Sequence, residues 1–200
     1  MIIELVLATN NAHKIREISN ILAGLNIHLL TAADFLDFPE PDESGLTLEE
    51  NARLKALEIL GATGVPALAD DSGLEVDFLN GEPGVMSSRF AGPECTFADN
   101  NRKLLRLLEG VEETKRTARF RCVAAVALNE REIHVFEATV EGRITTEVRG
   151  RQGFGYDPVF FLPELGQTFA EIPEEVKNRY SHRGRAFRKV ADFLRTLSAP

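Results

Sequence analysis

Cysteine is scarce in this chain: two residues among 200, Cys95 and Cys122. They stand far apart and form no C-x-x-C pair, which argues against a thiolate metal site or a dithiol redox centre. No structural disulfide is expected, and Cys122, inside an apolar run, reads as a core residue. The four histidines, His13, His28, His134 and His182, are scattered, so a zinc site is not expected either. His28 and His134 fall in strand-like segments and read as structural. No stretch approaches the ~18 apolar residues of a membrane span. The opening Met1-Ile2-Ile3-Glu4-Leu5-Val6-Leu7 lacks a basic segment and carries an acid, so it reads as a first strand and not as a secretion signal. A basic excess is also missing: 23 Lys and Arg against 31 Asp and Glu give a net charge of −8, unsuited to general binding of nucleic acid backbone. H-E-x-x-H, G-x-S-x-G and G-x-x-x-x-G-K-[ST] do not occur, which sets aside the chemistries those patterns carry. The expectation is a cytoplasmic protein with neither a membrane nor a nucleic acid partner.

What is present suits one buried core. Hydrophobic residues make up 44% of the chain, enough for a core of up to two lobes but hardly for two independent domains, so residues 1–200 are read as a single domain. Ile2 to Ala8 is a near-continuous apolar strand. Thr9-Asn10-Asn11 follows, and then Ile15, Ile18, Ile21 and Leu22 recur at helical spacing. That order of strand, polar loop and helix begins an α/β fold. Ile27 to Leu30 reads as a second strand, and Phe38 to Gly45 as a turn-rich acidic loop. Thr47 with Glu50 forms a capping box for a helix expected to stop at Gly61 and Gly64. Ala69-Asp70-Asp71-Ser72-Gly73 lies between two apolar runs and reads as a strand, a sharp turn and a strand. Gly81, Pro83 and Gly84 make a loop, and Thr96 with Asp99 opens a helix running to Gly110. Ala118–Leu128 and Ile133–Val140 flank Asn129-Glu130-Arg131-Glu132 as a long hairpin, with a further strand at Gly142–Val148. Ser181 is placed as the cap of a final helix whose apolar face is Phe187, Val190, Ala191, Leu194 and Leu197.

Four segments carry possible chemistry. Adjacent Asp70 and Asp71 either mark an exposed turn or hold a cation; oxygen ligands without sulfur suit Mg²⁺ or Mn²⁺. Thr9-Asn10-Asn11-Ala12-His13-Lys14 leads into a helix N-terminus, where backbone N–H groups and Lys14 can receive a phosphate. Gly150 to Asp157 combines close-approach glycines with Phe154, Tyr156 and Asp157, and serves either as a tight turn or as a base-binding loop. Lys177-Asn178-Arg179-Tyr180-Ser181-His182-Arg183 sets four basic groups at the start of the last helix, against its macrodipole, which points to an anion nearby or to a solvated stretch.

Read together, these motifs resemble the inosine triphosphate pyrophosphatase family, the noncanonical purine nucleoside triphosphate pyrophosphatases. The resemblance spans nearly the whole chain. It rests on Thr9-x-Asn11-x-x-Lys14, Glu50-Asn51-Ala52, Ala69-Asp70-Asp71-Ser72-Gly73, Pro83-Gly84 with Ser88-Arg89, Gly153-Phe154-Gly155-Tyr156-Asp157-Pro158, and Lys177 with Ser181-His182-Arg183. It implies an elongated, two-lobed α/β fold with a mixed sheet and a nucleotide cleft between the lobes. It also implies a homodimer, Mg²⁺ with Mn²⁺ as a substitute, and hydrolysis of ITP, dITP or XTP to the monophosphate and pyrophosphate. By the same resemblance Asp71 is the general base and a metal ligand, and Glu43 the second metal ligand ahead of Glu40. Asp70 either tunes Asp71 or helps hold the metal. Thr9, Asn11, Lys14 and Lys177 hold the triphosphate, with Asn10, Ala12 and His13 in the same loop, and Ser72 adds a hydroxyl. Phe154, with Gly155, Tyr156 and Asp157 beside it, stacks on the base, and His182 and Arg183 donate to a 6-oxo group. The main alternative is a noncatalytic nucleotide-binding module.

Overall fold

The computed structural model describes residues 2–41 and 43–198. Met1, expected in the first strand, and Asp42, expected in the acidic loop, lie outside the described residues. The chain separates into two compact units, one formed by the described residues of Met1–Asp71, Cys122–Ala138 and Arg183–Pro200, the other by Ser72–Arg121 and Thr139–His182. The fold is mixed α/β, with hydrogen-bonded strands in the order β2-β1-β3-β5-β6-β7-β8 and β4 paired to β3. The strands are β1 (Ile3–Leu7), β2 (Ile27–Leu30), β3 (Ala67–Val76), β4 (Pro83–Gly84), β5 (Thr117–Asn129), β6 (Glu132–Ile144), β7 (Phe160–Leu162) and β8 (Gln167–Thr168). The helices are α1 (Ala12–Leu22), α2 (Leu48–Thr63), α3 (Phe97–Leu107), α4 (Glu174–Tyr180) and α5 (His182–Ser198).

In the first unit β1 pairs in parallel with β2, Ile3 opposite Ile27, and with β3, Leu7 opposite Leu68. Parallel neighbours need a crossover, and α1 supplies the one between β1 and β2. The core here is Leu5, Leu7, Ile18, Leu68, Val126 and Phe187 with their neighbours, and Cys122 lies in it as its apolar surroundings suggested. In the second unit β3 pairs antiparallel with β4, Leu74 opposite Gly84, and β6 with β7, Arg143 opposite Phe161. Leu74, Leu104, Phe120, Phe160 and Phe169 centre its core.

Both capping boxes form: Thr47 with Glu50 opens α2, and Thr96 with Asp99 opens α3. Five expectations are corrected. Asp70 to Gly73 is not a turn; β3 runs unbroken through it, because both acids find buried cationic partners, Arg183 for Asp70 and Lys55 for Asp71, and so need no solvent. The helix α2 passes through Gly61 and closes on Gly64, its apolar packing offsetting the weak propensity of one glycine. No separate strand spans 142–148: residues 142–144 extend β6, and β4 at Pro83–Gly84 replaces part of an expected loop. Finally, Lys177 and Arg179 do not open the last helix. They sit in the last turn of α4, where the macrodipole favours cations, and α5 starts afresh at His182.

Candidate active site

Successive side chains on a strand point to opposite faces, so Asp70 and Asp71 meet different partners. Asp71 faces α2. Its Oδ1 accepts from Lys55 Nζ at 2.9 Å, and its Oδ2 from Asn51 Nδ2 at 3.1 Å. The same ammonium donates to Glu43 Oε1 at 3.0 Å, so the two acids expected at a metal converge on Lys55. Burial alone would lower the pKa of Lys55, but Asp71, Glu43 and Asp70 reverse that and raise it, which keeps the ammonium charged. The acidic loop is tied to the start of α2: Asn51 Oδ1 accepts from the Gly45 N–H at 2.8 Å, and Glu50 Oε2 from the N–H groups of Leu46 and Thr47. Only glycine fits at 45, since a Cβ there would stand 2.5 Å from Asn51 Oδ1.

Asp70 faces the other way and is wholly buried. Lys14 Nζ lies 3.1 Å from its Oδ1, and Arg183 Nη2 lies 3.1 Å from its Oδ2. The other terminal nitrogen of Arg183 donates to buried Glu17 at 2.7 Å. Burial would raise the pKa of Asp70, but Lys14, Arg183 and Lys55 together hold it well below the usual carboxylate range. Arg183 shifts the other way, raised by Asp70 and Glu17 against the effect of burial. Lys14 is delivered by the first turn of α1. There Asn11 Oδ1 accepts from the N–H groups of His13 and Lys14 at 3.0 and 3.3 Å, and Thr9 Oγ1 accepts from the Asn11 N–H at 3.2 Å. Asn10 and Ala12 are exposed, and His13 lies within 3.5 Å of Arg16.

In the second unit the glycine-rich loop is folded around Asp157. Its Oδ2 accepts from the Phe154 N–H at 2.8 Å and from Lys177 Nζ. Gly153 holds φ at +73°, and a Cβ there would sit 2.0 Å from Asp157 Oδ2, so the turn demands glycine on both counts. Lys177 Nζ stands 4.8 Å from the centre of the Phe154 ring, and the Phe97 ring packs tilted against Phe154 at 5.9 Å. Asn101, one turn beyond Phe97 on α3, donates to the Gly155 carbonyl at 2.9 Å. Phe97, Asn101 and Leu105 face Gly153, Phe154 and Gly155 across a cavity of about 490 Å³. Tyr156 donates its hydroxyl to the Ser87 carbonyl at 2.9 Å, and burial raises its pKa. Ser72 is half-buried on β3, and His182 is buried at the start of α5.

The first unit thus gathers Lys14, Glu43, Asp70, Asp71 and Arg183, and the second gathers Phe154, Gly155, Asp157 and Lys177. The sequence reading missed Lys55 and Glu17 in the first, and Phe97 and Asn101 in the second; Asn51 stood in the motif Glu50-Asn51-Ala52 but was given no role. Lys55 and Asn51 did leave a signal: both lie on the stripe Leu48, Asn51, Ala52, Lys55, Ala56, Ile59, which is the buried face of α2. A lysine and an asparagine on an apolar stripe ask for buried partners. Among the described residues no group of three or more His, Cys, Asp or Glu side chains could hold a metal ion by itself. Glu43 and Asp71 do offer hard oxygens aimed at one positive charge, and Mg²⁺ is commonly held by one or two carboxylates together with substrate phosphates. Among the described residues no helix is long and apolar enough to cross a membrane.

This mixed α/β fold with its acid-lined strand defines a family: the chain belongs to the Ham1 family, whose model matches residues 5–193. A relative from Desulforamulus reducens named dITP/XTP pyrophosphatase is 50% identical over 194 residues, covering 97% of this chain and 96% of that one. Another of the same name from Geobacter sulfurreducens is 50% identical over 190 residues, 95% of this chain and 96% of the relative. A solved HAM1 protein from Coxiella burnetii superposes with a TM-score of 0.89 at 41% identity, over 97% of this chain and 99% of its own.

Proposed function

We propose that this chain is a Mg²⁺-dependent nucleoside triphosphate pyrophosphatase that removes ITP, dITP and XTP from the nucleotide pool, releasing the monophosphate and pyrophosphate. The observation that carries the reading is Asp71, a buried carboxylate whose two oxygens are each held by a residue of α2 next to a second acid, Glu43. Relatives of nearly full-length similarity bear the name dITP/XTP pyrophosphatase. On this reading the whole chain acts as one pyrophosphatase domain, in the cytoplasm and as a homodimer.

Asp71 takes the proton from the water that attacks the α-phosphorus, and pyrophosphate leaves. Lys55 and Asn51 fix the plane of that carboxylate, so the accepting oxygen does not wander. Glu43 and Asp71 would hold Mg²⁺, which would supply neutralisation of charge on the phosphate oxygens. Lys14, carried at the start of α1, and Lys177 meet the phosphates. Asp70 acts through charge: it fixes Lys14 and is itself fixed by Arg183. Phe154 stacks on the base. His182 and Arg183 donate to the 6-oxo group; the terminal nitrogens of Arg183 also serve Glu17 and Asp70, and each carries two N–H groups. A donor at that place rejects adenine, whose 6-amino group is also a donor, because buried polar groups left unpaired are costly.

The test is product analysis with dITP, XTP, dATP and dGTP, with Mg²⁺ and with a chelator. Pyrophosphate is expected from dITP and XTP only, and only with the metal. Binding of dITP without turnover would make the chain a nucleotide binder. Release of orthophosphate would make it a different phosphatase. A second prediction concerns the loop behind Phe154. Asn101→Leu strips the Gly155 carbonyl of its donor, a loss of about 1 kcal/mol, and KM for dITP is expected to rise roughly fivefold with kcat little changed. An unchanged KM would detach Asn101 from substrate binding.

A further inference from the structure

His182 opens α5 with its side chain buried, and its imidazole lies flat against Phe120 of β5: the ring centres are 4.5 Å apart and the planes 12° from parallel. Phe120 is in turn held on its other sides. Phe160 packs on it at 4.6 Å, and Phe169 stacks with it at 6.1 Å and 20°. Phe160 and Phe169 are fully buried and touch each other at 5.2 Å. The imidazole therefore ends a column of rings rooted in the core of the second unit.

This matters for what an imidazole can do. The outer torsion of histidine is broad, so the side chain alone leaves the ring plane free to turn. The hydrogen-bonding nitrogens lie on the ring edge, in that plane. A parallel partner on one face selects one plane and so confines both nitrogens to it, leaving only the two ring flips 180° apart. Phe120 has no polar atom to contribute, and its effect on a ligand passes through His182.

We propose that Phe120 is a specificity-positioning residue for purine recognition: by stacking on His182 it aims the imidazole edge at the 6-position of the base. This rests on the reading of His182 as a group that meets the 6-oxo oxygen. Loss of the stack should cost selectivity between 6-oxo and 6-amino purines, whereas loss of packing alone should lower the turnover of both alike.

The experiment compares kcat/KM for dITP and for dATP in wild type, His182→Ala, Phe120→Leu, Phe120→Tyr and Phe160→Leu, each with the full chain. The ratio of the two values is independent of the fraction of enzyme that is folded. His182→Ala is expected to lower the dITP:dATP ratio, and Phe120→Leu to lower it about three- to tenfold, the change that corresponds to a ring-stacking contact. Phe120→Tyr, which keeps an aromatic face, is expected to hold the ratio within about twofold of wild type. Phe160→Leu damages the same core without removing the face on His182, and is expected to leave the ratio unchanged. Should Phe120→Leu not fold, Phe120→Met takes its place with the same expectation. If His182→Ala lowers the ratio and the Phe120 variants do not, the inference fails while the reading of His182 survives. If Phe160→Leu lowers the ratio as far as Phe120→Leu, the effect is packing and the inference fails too. If His182→Ala leaves the ratio unchanged, the reading of His182 is itself wrong, and the role of Phe120 falls with it.

Discussion

Asp71→Asn is expected to lower kcat for dITP hydrolysis by about a thousandfold, the scale on which a positioned general base contributes. Asparagine matches the size of the side chain and still offers Lys55 an oxygen, but it cannot take up the proton of the attacking water. The variant should therefore turn dITP over at a vanishing rate; without Mg²⁺ it should bind dITP about as well as wild type, and with Mg²⁺ more weakly, since the same carboxylate is read as a metal ligand. Binding by calorimetry and turnover by pyrophosphate release separate the two effects. Because Lys55 is buried and would keep Glu43 as its one full carboxylate on that side, the folded fraction should be checked by near-UV circular dichroism before kcat is compared. A loss smaller than tenfold would remove Asp71 from the chemistry and leave it as a structural partner of Lys55.

The second large effect is on stability. Asp70→Asn should destabilise the protein by about 3–5 kcal/mol, the usual consequence of breaking a buried charge network from one side. Arg183 would keep Glu17, and Lys14 would lose its carboxylate. The apparent melting temperature should fall by on the order of 10 °C. The effect depends on pH, with a defined sign. The pKa of Asp70 in the fold lies below its ordinary value of 3.8, so the stabilisation is fully present above that value. As pH falls through it the unfolded chain takes up a proton that the native state refuses, and the advantage shrinks. Urea midpoints at pH 7 and at pH 3.5 test this: the gap between wild type and variant should be wide at the first and narrower at the second. An equal gap at both would show that the Asp70 charge is not what the network stabilises.

Local signals read well from the sequence wherever the cause was local. The apolar run of β1, both capping boxes, the hairpin of β5 and β6 and the apolar face of α5, apart from Leu197, which is exposed, all depend on residues a few positions apart. The failures share a different cause. Asp70 and Asp71 look like turn residues because their partners lie far along the chain: Lys14 is 56 positions away and Arg183 113. No window of sequence shows a distant cation, and without one two adjacent acids belong in solvent. The break between α4 and α5 was hidden for a related reason. Lys177 is claimed by Asp157, 20 positions back, and Arg183 by Glu17 and Asp70, so the basic cluster that looked like one feature is two sets of ion pairs. The candidate site was legible at the residues whose chemistry is conspicuous. It was not legible at Lys55, Asn51 and Asn101, which act by holding another residue in place.

The pleat of β3 has a consequence for how this protein tolerates change. A doubled aspartate looks like insurance, two copies of one chemical group of which either would do. Here one copy looks toward α2 and the other toward α1 and α5, and nothing short of a one-residue slip of the strand would turn either to the other face. The pair therefore has no redundancy. An insertion or deletion between β1 and Asp70 that moved the register by one would turn each acid to the opposite face, away from its own partners, and would disable both at once.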